Sequence, residues 1–157
     1  MQIRPAAAGD RERIREILVA TARFTRQEVG WAMELVDLFL GGARGEYDAH
    51  VIEDASAGVQ GYVLFGPTPM AEGVFDLYWI AVDPRQQGQG VGQLLLRFVE
   101  NEVRRRHGRM LLIETSSKRS YAPTVRFYQR AGYREISRIK DFYRIEDDKV
   151  VFSKNLQ

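Results

Sequence analysis

Three glycines stand at alternate positions in "QQGQGVG", residues 86–92, between the apolar run "VFDLYWIAV" and a leucine-rich stretch. A bare backbone where a strand gives way to a helix is suited to holding an anion. The first N–H groups of a helix have no partner within it, its dipole favours negative charge there, and glycine lets a ligand approach the backbone. Two familiar owners of that chemistry are excluded. A Walker phosphate loop closes on Gly-Lys-Ser/Thr, whereas Gly92 is followed by Gln93 and Leu94. A dinucleotide fingerprint is spaced G-x-G-x-x-G, whereas Gly88, Gly90 and Gly92 give G-x-G-x-G with Gln93 in the third glycine's place. A tight turn with close helix–sheet packing remains as a purely structural use of the same glycines.

Two carboxylates offer proton-transfer chemistry. Asp76 lies six residues before Val82 on one predicted strand, so alternation puts it on a face with Tyr78, Ile80 and Val82. Glu114 ends the apolar run "LLIE". A carboxylate in a partly apolar cleft has its pKa raised toward a useful range, and Glu114 is preferred over Asp76 on that ground. Either could instead pair with an arginine at a strand end. The sequence has no cysteine, which excludes a disulfide framework, a thiolate metal site and a cysteine nucleophile. His50 and His107 lack the spacing of a ligand pair, so no metal is expected.

The elements that must position these groups belong to a chain of 157 residues, the size of one domain spanning 1–157. With 23 Lys+Arg against 21 Asp+Glu, the net charge of +2 gives no argument for a nucleic-acid partner. No apolar window has the length of a signal or a membrane span, and a cytoplasmic location is the expectation. A strand at "MQIRPA" leads to a helix with Asp10 as N-cap and Ile14, Ile17 and Leu18 on its apolar face. "TRQE", Thr25 to Glu28, has capping-box spacing before a second helix that Gly41-Gly42 stops. "AHVIED" and "VQGYVLFG" read as a hairpin, and "VFDLYWIAV" as a central strand. A helix through Val91, Leu95, Val99 and Val103, a strand "RMLLIET", a helix opened by Pro123 and a final hairpin across "EDDK" complete the order βααβββαβαββ. This predicts a mixed α/β domain: about seven strands, mostly antiparallel, in one twisted sheet with about four helices.

Taken whole, "WIAVDPRQQGQGVGQLLL" resembles the acyl-CoA-binding motif of the GNAT family of N-acetyltransferases, Gln/Arg-x-x-Gly-x-Gly/Ala, with Gln87, Gly90 and Gly92 filling it and Gly88 at the second position. "YAPTVRFYQRAGY", residues 121–133, resembles the family's second motif, with Tyr128 at the usual tyrosine. The family's frequent Asn and Ala, six and three residues before the Phe of Phe-Tyr, are Tyr121 and Thr124 here. The order of elements agrees, so the resemblance covers nearly the whole chain.

It implies direct transfer of the acetyl group of acetyl-CoA to a primary amine of a small molecule or peptide, in a ternary complex. A non-catalytic acyl-CoA-binding or sensing domain of the same fold is the alternative. The pyrophosphate would lie over the amides of Gln87, Gly88, Gln89, Gly90, Val91, Gly92 and Gln93, and the pantetheine arm along Ile80, Ala81 and Val82 if that strand and "LLIET" splay apart. Tyr121 would adjoin the cofactor. Tyr128, protonated at neutral pH, would give its proton to the leaving thiolate. Asp76 occupies the position of a glutamate that is the general base in histone-acetylating relatives. Arg85, Lys118, Arg119 and Arg126 are candidates for the 3′-phosphate. Glu28 and Trp31, with Tyr78, Asp141 and Tyr143, would line the acceptor site. A monomer or homodimer without nucleic acid or membrane partners is expected.

Overall fold

A computed structural model describes residues 1–43 and 45–157. Their elements follow the predicted order: β1 (Gln2–Pro5), α1 (Arg11–Ala20), α2 (Arg26–Leu40), β2 (Asp48–Asp54), β3 (Gly58–Pro67), β4 (Val74–Val82), α3 (Val91–Arg105), β5 (Met110–Ser116), α4 (Ala122–Arg130), β6 (Arg134–Arg144) and β7 (Asp147–Asn155). The strands form one sheet in the order β1-β2-β3-β4-β5-β7-β6. β4 and β5 are parallel and the other neighbours antiparallel. No helix among the described residues is long and apolar enough to cross a membrane.

Two apolar layers cover the sheet. α1 and α2 bury Ile14, Ile17, Leu18, Met33, Val36 and Phe39 on one face, against Val51, Tyr62 and Leu64. On the other, α3 presents Val91, Leu95, Leu96, Val99 and Val103 to Val63, Phe65, Leu77 and Ile113, the one-sided spacing of an amphipathic helix. β3 faces both layers, so Val59 to Phe65 are buried without interruption.

Local signals explain most boundaries. Thr25 Oγ1 accepts from Glu28 N–H at 3.1 Å and Glu28 Oε2 accepts from Thr25 N–H at 2.9 Å, so the predicted capping box starts α2. The chain turns after α3 at Gly108, where a Cβ would stand 2.3 Å from Val103 Cγ1. Asp10 stands at the predicted N-cap position of α1, but its side chain does not cap that helix. Its backbone is already helical, and its carboxylate accepts from Ala7 N–H at 2.8 Å and from Arg4 at 2.7 Å. Arg4 also holds Glu53 at 2.8 Å, so Asp10 ties the start of α1 to β1 and β2.

The strand alternation predicted for β4 fails at one residue. Leu77 pairs with Phe65 and Trp79 with Leu64, which leaves Tyr78 as an extra residue in a β-bulge. Phe75 and Leu77 face the α3 layer, and beyond the bulge so do Ile80 and Val82. Tyr78 and Trp79 both face the α1–α2 layer. Asp76 therefore does not share a face with Ile80 and Val82, as regular alternation required. It shares one with Tyr78, opposite the cores of α3 and α4.

Candidate active site

β4 and β5 remain paired only from Val74↔Met110 to Leu77↔Ile113, and the bulge at Tyr78 begins where that ladder stops. A bulge bends its strand and raises its twist, which carries Tyr78–Val82 away from β5. Asp83 N–H donates to Gln60 O at 2.8 Å. In an antiparallel ladder the bonded direction alternates, so Ala81 and Trp79 point their backbone groups at β3. The N–H and C=O of Ile80 and Val82 face the open gap.

At the mouth of the gap, Asp83 accepts from Arg85 N–H at 2.9 Å and fixes the short 3-10 turn Pro84–Gln86. Gly88 and Gly90 have φ of +77° and +81°, in the left-handed region that glycine tolerates best. Gly90 caps α3 without a side-chain bond, and its carbonyl takes the first helical bond, from Leu94 N–H at 3.0 Å. The amides of Val91, Gly92 and Gln93 thus stand free at a helix N-terminus. At Gly92 a Cβ would meet nothing closer than Phe127 at 3.6 Å, so the protein's own packing does not require that glycine.

These segments wall a cleft of about 390 Å³. It is lined by Ile80, Ala81, Val82, Gln87, Gly88, Gly90, Val91, Gly92, Gln93 and Tyr128 of the predicted cofactor set. Gln89 is exposed outside it, and Tyr121 stands behind its wall. Tyr128 packs against Phe127 and Tyr133 with ring centroids 5.4 and 6.0 Å away. Burial pushes its hydroxyl above the ordinary phenol range, with the charge of Arg23 opposing, so Tyr128 is neutral near pH 7.

The opposite wall, Thr21, Arg23 and Phe24 from the α1–α2 connection, has no counterpart in the sequence motifs. Arg23 Nη1 donates to Thr124 Oγ1 at 2.6 Å, and the Tyr121 hydroxyl donates to Arg23 O at 3.2 Å. The two positions that depart from the family pattern, Tyr121 and Thr124, therefore hold this segment across the cleft. Phe24 meets Trp79 edge-on at 5.0 Å.

The partly apolar setting expected for Glu114 is found at Asp76 instead. Glu114 is exposed and paired with Lys149 at 3.2 Å, so the apolar surroundings predicted for it are absent. Asp76 is half-buried and accepts from Thr68 Oγ1 at 2.6 Å. Burial raises its pKa, the Thr68 hydrogen bond opposes, and the like charge of Glu114 adds to the rise. Tyr78, beside Asp76 and 5.5 Å from the Tyr47 ring, is pushed up to about 12, by burial first and then by the Asp76 charge. Tyr143 is also pushed up to about 12, by burial and then by Glu114, Asp147 and Glu28, so these groups face one another.

The remaining candidates divide. Glu28 keeps one carboxylate oxygen in the α2 capping box. Trp31 is 52% exposed on α2. Asp141 Oδ1 accepts from Glu146 N–H at 2.7 Å, which gives it a structural task in the β6–β7 turn. Arg85 turns back to Asp83 at 2.8 Å. Lys118, Arg119 and Arg126 line a separate cleft between α4 and the β6–β7 hairpin, so the basic patch expected at the cofactor mouth is not formed by them. Arg130, which is not among the sequence candidates, lines the cleft of Ile80, Val82 and Tyr128 instead. It lies one helical turn beyond Arg126, and the phase of α4 against the sheet decides between them.

A glycine-capped helix at the mouth of two splayed strands, with a buried tyrosine opposite, is the arrangement of acyl-CoA-dependent acetyltransferases. The family profile described as "Acetyltransferase (GNAT) domain" matches residues 45–135. A structure from Desulfovibrio desulfuricans assigned to GNAT-family acetyltransferases is 42% identical, with 99% of each chain covered and a TM-score of 0.91. The chain belongs to the GNAT family. An aminoglycoside 6′-N-acetyltransferase complexed with coenzyme A, 14% identical over 100% of this chain and 98% of its own, shares the fold at a TM-score of 0.76. So does the ribosomal-protein-S18-alanine N-acetyltransferase of Escherichia coli, 18% identical over 99% and 94%, at 0.77. The curated proteins contain no match.

Proposed function

We propose that this acetyltransferase carries the acetyl group of acetyl-CoA directly to a primary amine of a small cationic molecule or peptide. The observation that carries this reading is the gap between β4 and β5, with the backbone of Ile80 and Val82 facing it and Tyr128 in the same cleft. Bound acetyl-CoA supplies a thioester whose carbonyl carbon accepts the amine's electron pair as the C–S bond breaks toward sulfur.

The free amides of Val91, Gly92 and Gln93 suit the pyrophosphate. Val82 N–H can hold the carbonyl oxygen as it gains charge. Tyr128 gives its proton to sulfur, and Asp76, lifted by burial, takes the proton from nitrogen. The carboxylates of Glu28, Asp76 and Glu114 with the phenols of Tyr78 and Tyr143 favour a cationic acceptor.

An amine panel assayed by CoA thiol release tests the proposal, run beside Tyr128→Phe, Asp76→Asn and Glu114→Gln. The expected results are at least one turned-over amine and a loss of about 10²-fold or more in kcat for Tyr128→Phe with CoA binding retained. CoA binding without thiol release across the panel would favour a sensing domain instead.

A further inference from the structure

Tyr128 alone is a poor donor for the task assigned to it. A phenol of reference pKa ~10 giving a proton to a thiolate of ~8.5 already works against roughly a thirtyfold unfavourable equilibrium. Burial then makes the phenol hold its proton more firmly. A cation must offset the negative charge as it moves from sulfur to the phenolic oxygen, and the cleft wall holds one in a fixed place. Arg23 lines the cleft with Tyr128, and its guanidinium is fixed to Thr124 Oγ1 at 2.6 Å, one helical turn before Tyr128 on α4. Its backbone is fixed independently, through the Tyr121 hydroxyl at 3.2 Å.

We propose that Arg23 is the cation that offsets the negative charge shared by the leaving sulfur and the Tyr128 oxygen, held at the cleft by Thr124 and Tyr121. The proposal rests on the reading that CoA occupies this cleft with its sulfur beside Tyr128. In the step concerned the N–C bond forms and the C–S bond breaks with its electron pair going to sulfur. Tyr128 protonates the sulfur, the amine proton passes to Asp76, and solvent later restores the Tyr128 proton. Arg23 gives up no proton and acts by charge alone. The groups facing it and Tyr128 are Tyr121 on the turn before α4 and Arg130 at the far end of α4. Glu28 and Asp147 act on Tyr121 from α2 and β7. The charge of Arg23 acts on the Tyr128 hydroxyl against burial, Tyr121 being neutral.

The test needs no acceptor. The thiolate absorbance of bound CoA is titrated in the ultraviolet, with the desulfo-CoA complex as blank for tyrosine ionisation, in the wild-type protein, Arg23→Gln, Arg23→Lys and Thr124→Val. Arg23→Gln is expected to raise the pKa of the bound thiol by about one unit, a tenfold loss of thiolate at a given pH. Arg23→Lys should restore most of it, and Thr124→Val, which frees the guanidinium without removing its charge, should fall between. Equal thiol titrations in wild type and Arg23→Gln, both with CoA bound, would overturn the Arg23 role and leave the cleft assignment standing. Equal effects of Gln and Lys would also overturn it, since charge would not be the agent. Failure of the wild-type protein to bind CoA would remove the cleft reading and this inference together.

Discussion

Asp76 carries opposed demands on one carboxylate. Burial raises its pKa, so in the window above the ordinary carboxylate range the native state holds more protons there than the unfolded chain does. Stability then falls as pH rises through that window. Asp76→Asn removes the loss, and its Tm at pH 7 is expected to exceed that of the wild type by about 2 °C in scanning calorimetry. The same substitution removes the proposed base, so turnover should fall and the acid limb of kcat/KM against pH should flatten. A variant both less stable and fully active would refute the assignment. Glu114→Gln should be milder, because Glu114 is exposed and paired with Lys149. The sequence named both carboxylates but ranked Glu114 first for the partly apolar cleft expected around it. Their real difference comes from the neighbours Thr68 and Lys149, which approach from other elements.

Elements were legible where their signals are local. The capping box of α2, the glycine stop before β5 and the apolar stripe of α3 were readable because helix chemistry is decided within a few residues. The β4 bulge was not, because it belongs to the pairing with β3 and leaves no mark in β4 itself. Arg23 was invisible for a related reason: its partners Tyr121 and Thr124 are about 100 residues away. The glycines of the helix start now separate by task. Gly88 and Gly90 supply left-handed turns, whereas Gly92 is helical with space for a methyl group. Gly92→Ala should therefore keep its Tm within about 2 °C of wild type. Its CoA affinity, measured by titration calorimetry, should nevertheless drop by about tenfold if the cofactor backbone lies against that position. An unchanged affinity would confine this residue to structure.

At the scale of the molecule, a ligand that binds only the native state must stabilise it. CoA at a hundredfold excess over its Kd should raise stability by about 2.7 kcal/mol, a shift of several degrees in Tm. Gly90→Glu should fold with a lower Tm, because φ at this site is +81°, and should show no CoA-dependent rise. A rise equal to that of wild type would sink the cradle. The overall charge of +2 gave no hint of the acidic and phenolic acceptor side, because the arginines of the helices balance it in the sum.

The extra residue at Tyr78 has a further meaning when counted instead of described. Removing it would leave Leu77, Trp79, Ile80, Ala81 and Val82 in strict alternation, each still facing the layer it faces now. The domain could then fold with a straighter β4 whose ladder to β5 runs on past Leu77. In such a shortened chain both apolar layers would survive while the space for two substrates closed. Room for a reaction depends here on the number of residues in a strand, and an insertion of one could turn an ordinary sheet into a cleft without changing any side chain of its core.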